Sequence, residues 1–75
     1  MNIELKCYAT LAGHTPEDAD GLACRAGETV SELLARLGIA PEEVKIIFIN
    51  GVKAELDSAL VEGDRVGLFP AVGGG

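Results

Sequence analysis

A chain of 75 residues that is 48% hydrophobic, with two Phe, one Tyr and no Trp, makes one small domain with an aliphatic core and is not a disordered segment. Its formal charge of −6 and its lack of Lys/Arg clusters exclude a nucleic-acid reader and disfavour an anionic membrane surface; a partner with a basic docking surface would match the overall charge. Residues 1–10 alternate polar and apolar, so no signal peptide, transit segment or membrane span is expected, and the chain reads as cytoplasmic.

In the first segment Ile3, Leu5, Cys7 and Ala9 share one face and Glu4, Lys6 and Tyr8 the other, which predicts a half-buried strand over 2–9. Residues 11–21, with Gly13, Pro16, Asp18, Asp20 and Gly21, predict a long, turn-rich and mobile connection. Alternation resumes over Leu22–Arg25 with Leu22 and Cys24 inward, closing a hairpin. Cys7 and Cys24 lack metal-site spacing and are too few for an iron–sulfur cluster or a structural zinc site. They read as small core hydrophobes in a reducing compartment, with a single disulfide as the alternative. His14 falls in the loop with no group to orient it, a weak basis for catalysis.

Thr29 with Glu32 three residues on forms the T-x-x-E signature of a capped helix start. Val30, Leu33, Leu34 and Leu37 then fall on one stripe, and Gly38 stands where a left-handed C-cap belongs. A helix this short needs a sheet beneath it, so the stripe is read as core rather than as a partner-binding face. Pro41-Glu42-Glu43 predicts a single turn. Lys45–Ile49 is nearly all apolar, as in a central strand buried on both faces, and Asn50-Gly51 predicts a tight hairpin returning through Val52–Ala54. Asp57–Leu60 predicts a short helical turn capped by Asp57. Glu62-Gly63-Asp64 turns into a last strand, Arg65–Phe69, which Pro70 should end. These elements predict an α+β domain with one helix on a mixed four- or five-stranded sheet.

In the last strand Val66 and Leu68 should face the helix, leaving Arg65, Gly67 and Phe69 on the open face. Phe69, beside Pro70, is either scattered surface apolarity or an anchor for a partner, and its place at the root of the tail favours the anchor. After Phe69-Pro70-Ala71-Val72 come Gly73, Gly74 and Gly75. Glycine is costly to order and has no Cβ. The run is therefore either a frayed end or a filament slender enough to thread a channel and present a terminal carboxylate. The expected division is a domain over 1–70 and a flexible tail over 71–75, and six residues from Pro70 span roughly 20 Å when extended.

This order resembles the β-grasp, or ubiquitin-like, fold. At finer grain the chain is similar to the bacterial sulfur carriers, in particular the small subunit of molybdopterin synthase and its cousin, the thiamine-pathway carrier. The residues carrying the resemblance are Tyr8-Ala9-Thr10-Leu11, Gly27-Glu28-Thr29-Val30 with Leu33-Leu34, Asn50-Gly51, Glu62-Gly63-Asp64 and Phe69 through Gly75. Gly73 and Ala71 depart from it, standing where a bulkier residue and a second proline are common, and Cys7 and Cys24 replace aliphatic residues.

The resemblance implies that Gly75, preceded by Gly74, is adenylated at its carboxylate and converted to a thiocarboxylate, with Arg65, Phe69, Pro70, Val72 and Gly73 contacting partners. It implies a carrier or co-substrate rather than an enzyme, with no metal and no cofactor of its own, ATP being used by the activating partner. The implied partners are a ubiquitin-activating-type adenylyltransferase, the large subunit of molybdopterin synthase, and a sulfur donor such as a cysteine desulfurase or rhodanese-type protein. Alternatives are delivery to thiamine, to another sulfurated metabolite or to a tungsten-pterin route, attachment to protein lysines, and an interaction module with an inert tail.

Overall fold

The computed structural model describes residues 1–71. Its strands are β1 (Asn2–Cys7), β2 (Leu22–Ala23), β3 (Val44–Ile49), β4 (Val52–Ala54) and β5 (Arg65–Pro70), with one helix, α1 (Val30–Leu37), between β2 and β3. They form one sheet in the order β2-β1-β5-β3-β4. β1 and β5 run parallel and the other neighbours antiparallel, so the first and last segments of the domain meet at its centre. This five-stranded mixed sheet with one main helix is the β-grasp arrangement.

The helix forms where its caps place it. Glu32 N–H donates to Thr29 Oγ1 at 3.2 Å and Thr29 N–H donates back to Glu32 Oε1 at 3.0 Å, while Gly38 takes the left-handed conformation at φ 75°. Val30, Leu33 and Leu34 are fully buried against Ile3, Leu5, Ile47, Val66 and Leu68. The first turn of α1 has two further N–H groups to satisfy, and a distant loop supplies them: Val30 N–H donates to Ser58 O at 3.1 Å and Ser31 N–H to Leu56 O at 2.8 Å. That demand explains why no helical turn forms over 57–60. The segment makes instead a turn closed by Ser58 N–H on Glu55 O, then runs extended so that Ala59 bridges Thr29.

Two other expectations change. β1 ends at Cys7, because Ala9 adopts φ 51° and opens a 3-10 turn, Ala9–His14, that folds Leu11 into the core at 1% exposure. The long connection is thereby pinned at buried Leu11 and again at Ala19. β3 is not buried on both faces: Ile47 is buried, but Ile46 is 36% exposed and Phe48 half-buried, because a single helix covers only one side of the sheet. The Asn50-Gly51 hairpin forms as expected, with φ 53° and 80° at its two central residues.

Candidate functional site: the open sheet face and the root of the tail

The pleat of β5 sends Val66 and Leu68 into the core and leaves Arg65, Gly67 and Phe69 on the opposite face, as the alternation predicts. The neighbouring registers complete that face. Glu4 and Lys6 of β1 lie beside Arg65 and Gly67, Ile46 and Phe48 of β3 beside Phe69 and Gly67, and Lys53 of β4 beside Phe48. Of these, Glu4, Lys6, Phe48, Arg65, Gly67 and Phe69, with Tyr8, line an open depression of about 530 Å³ on the uncovered side of the sheet.

Phe69 is not an isolated exposed ring. It stacks on Tyr8 with centroids 4.3 Å apart and planes 4° from parallel, and meets the edge of Phe48 at 5.7 Å and 88°. Three of the chain's aromatic rings thus form one cluster at the end of β5. Gly67 borders it: a Cβ there would touch the Tyr8 ring at 3.5 Å and the Phe69 ring at 3.6 Å, so a side chain longer than alanine would crowd the stack. Sequence reasoning placed Tyr8 on the outer face and missed its part in the site. Only the parallel pairing of β1 with β5 carries it to Phe69, and Tyr8 N–H closes that ladder on Leu68 O at 3.0 Å.

The strand does not end before Pro70. Pro70 pairs with Val44 across an irregularity in the ladder, where a residue without an N–H is tolerated, and Ala71 N–H donates to Glu43 O at 3.0 Å. Pro70, expected to end the strand, is its last member, and Ala71, expected to begin the tail, is bonded beside it. Four residues of chain follow Ala71, a covalent length of at most about 14 Å rather than 20 Å. Val72, Gly73, Gly74 and Gly75 lie outside the described residues.

The remaining candidates have structural roles. His14 Nδ1 stands 3.2 Å from the carbonyl oxygen of Leu37, a donor to the end of α1. Cys7 and Cys24 are free thiols, not a disulfide. Burial pushes both above the ordinary thiol value of 9.0; at Cys24 the Glu28 carboxylate adds to this and Arg36 opposes it, so neither is poised as a nucleophile. No cluster of metal-ligating side chains occurs among the described residues, and none of their helices is long and apolar enough to cross a membrane.

Three comparisons bear on this arrangement. The ThiS family matches residues 14–75, most of the chain and all of the segment after β5. Among solved structures, SAMP1 from Haloferax volcanii superposes with a TM-score of 0.69 at 26% identity, covering 100% of both chains. No curated protein matches. The family match over residues 14–75, on a chain whose β-grasp sheet is followed by a glycine run, identifies it as a member of the ThiS family of ubiquitin-like sulfur carriers.

Proposed function

We propose that the carboxylate of Gly75 is the sulfur-bearing group and that the chain donates sulfur in molybdopterin biosynthesis. Carriers of this family work with ubiquitin-activating-type enzymes, and the chemistry of a glycine terminus calls for one. An α-carboxyl has a pKa of about 3.3–3.7, so at neutral pH the group is an anion and a poor electrophile. Adenylation by the partner corrects this. A carboxylate oxygen attacks the α-phosphorus of ATP and pyrophosphate leaves; the outer sulfur of a donor persulfide then attacks the carbonyl carbon and AMP leaves, and a second thiol cleaves the resulting acyl disulfide, releasing the thiocarboxylate and leaving a disulfide behind.

The observation that carries the reading is the family match across Gly74-Gly75, on a segment leaving the sheet beside an uncovered aromatic face. On this reading Phe69 and its neighbours hold the activating enzyme, and later the large subunit of molybdopterin synthase, while the thin tail enters the partner's pocket. Glycine at 74 and 75 accepts whatever φ the channel imposes and leaves the carbonyl unshielded. ATP belongs to the activating partner, and the sulfur comes from a cysteine desulfurase or rhodanese-type protein.

The test is the intact mass of the protein purified from its native host, where a fraction heavier by the difference between sulfur and oxygen is expected at Gly75. Disrupting the gene should abolish molybdoenzyme activity and leave thiamine prototrophy intact. Thiamine auxotrophy with normal molybdoenzymes would reassign the carrier to the thiamine route.

A further inference from the structure

The net charge of −6 is unevenly placed. Glu4 is the only acidic residue on any strand; the other eleven lie on the helix, the turns and the loops. The cations divide the other way. On the helix side Arg25 pairs with Glu32, and Arg36 Nε pairs with Glu28 Oε2 at 2.9 Å. The open face carries Lys6, Lys53 and Arg65, of which only Arg65 is ion-paired among the described residues, to Glu4 at 3.5 Å, while the sixth cation, Lys45, is exposed on β3. Three cations against one acid make this the positive face of an acidic protein. Its centre is apolar, with Tyr8 40% and Ile46 36% exposed beside the Phe48–Phe69 edge.

Net charge alone would call for a basic partner. The domain measures 21 Å across its shortest dimension, whereas the Debye length at physiological salt is about 8 Å, so a protein docked on the open face is largely screened from the acidic far side. The local charges decide the match. Resting on the carrier reading, in which the open face holds the activating enzyme, we propose that Lys6 and Lys53 at its rim read carboxylates that ring an apolar centre on that enzyme's docking surface. Charges at the rim of an interface act chiefly on the encounter, raising the association rate in a salt-dependent way.

The experiment uses the full chain and the ubiquitin-activating-type enzyme of the same organism, with association rates followed by interferometry. Two variants reach the same net charge of about −8 by opposite routes: Lys6→Gln with Lys53→Gln on the open face, and Ser31→Glu with Ala35→Glu on the exposed side of α1. All four positions are solvent-exposed, and thermal melts confirm that both variants fold. At about 50 mM salt the lysine variant should associate three- to tenfold more slowly and the helix variant within twofold of the parent, with the gap closing by about 300 mM as screening sets in. Equal slowing in both variants, or faster association of the lysine variant, overturns the inference while the carrier reading stands. Failure of the parent chain to bind at all overturns the carrier reading and this inference together.

Discussion

Asn50 Nδ2 donates a 2.9 Å hydrogen bond to Oδ1 of Asp64, joining the tip of the β3–β4 hairpin to the entrance of β5. Asp64 is 4% exposed, and its second oxygen accepts from Val61 N–H at 2.8 Å. Asn50 Oδ1 in turn accepts from Arg65 N–H at 3.0 Å. One side chain thus satisfies a buried carboxylate and fixes the first residue of the strand that leads to the tail. Asn50→Gly keeps the positive φ but removes these bonds, and should cost about 1–3 kcal/mol in urea denaturation. Asn50→Asp, which sets one carboxylate against another, should cost more. Equal stability of Asn50→Gly and the parent would mean that water replaces the amide without loss.

Because Phe69 stacks on Tyr8, its removal acts on both the fold and the interface. Phe69→Ala should weaken binding of the activating enzyme by about 2 kcal/mol or more, the scale of an interface anchor. In a double-mutant cycle with Tyr8→Ala, folding stability should show a coupling of about 0.5–1.5 kcal/mol. Affinity unchanged by Phe69→Ala would return this ring to ordinary surface apolarity.

The raised thiols set a pH dependence. The folded state holds the Cys7 and Cys24 protons more tightly than the unfolded chain does, so their contribution to stability is complete below the ordinary thiol value of 9.0 and is lost as pH rises from there through the raised folded values. Native protein should resist iodoacetamide at neutral pH and react once unfolded. The urea midpoint should fall as pH rises above the ordinary thiol value of 9.0, and fall less in a Cys7→Ala/Cys24→Ala variant. An identical drop in both proteins would assign the effect to other groups.

Gly75→Ala, or one residue appended after Gly75, should stop thiocarboxylate formation and leave the melting temperature unchanged, since both changes lie beyond Ala71, which carries the last sheet hydrogen bond among the described residues. A normal thiocarboxylate yield from the extended protein would refute the role given to this terminus. A related effect is expected at the root of the tail. Ala71→Pro deletes the N–H that bonds Glu43 O, and should free the root at a cost of about 1 kcal/mol or less in stability.

Much of the architecture is legible in the residues because its signals are local. The Thr29–Glu32 box, the Val30-Leu33-Leu34 stripe, Gly38 and the Asn50-Gly51 hairpin each encode a backbone conformation within a few positions, and each forms as read. The expectations that changed concern segments whose partners are remote. Whether 57–60 coils depends on two N–H groups of α1 that need the carbonyls of Leu56 and Ser58; whether β3 is covered on one face or two depends on how many helices the chain can spare.

The site divides in the same way. Periodicity by itself determined that Val66 and Leu68 face inward and that Arg65, Gly67 and Phe69 face out, because side chains alternate along any strand. Only the tertiary structure decided what stands beside them. The parallel union of β1 with β5 stacks Tyr8 on Phe69 and sets Lys6 near Arg65, while β3 and β4 bring Lys53 to the same face and Glu43, just before β3, binds Ala71 beyond the proline. Contacts between distant segments form when sheet order and register are set, and no local pattern of residues encodes either.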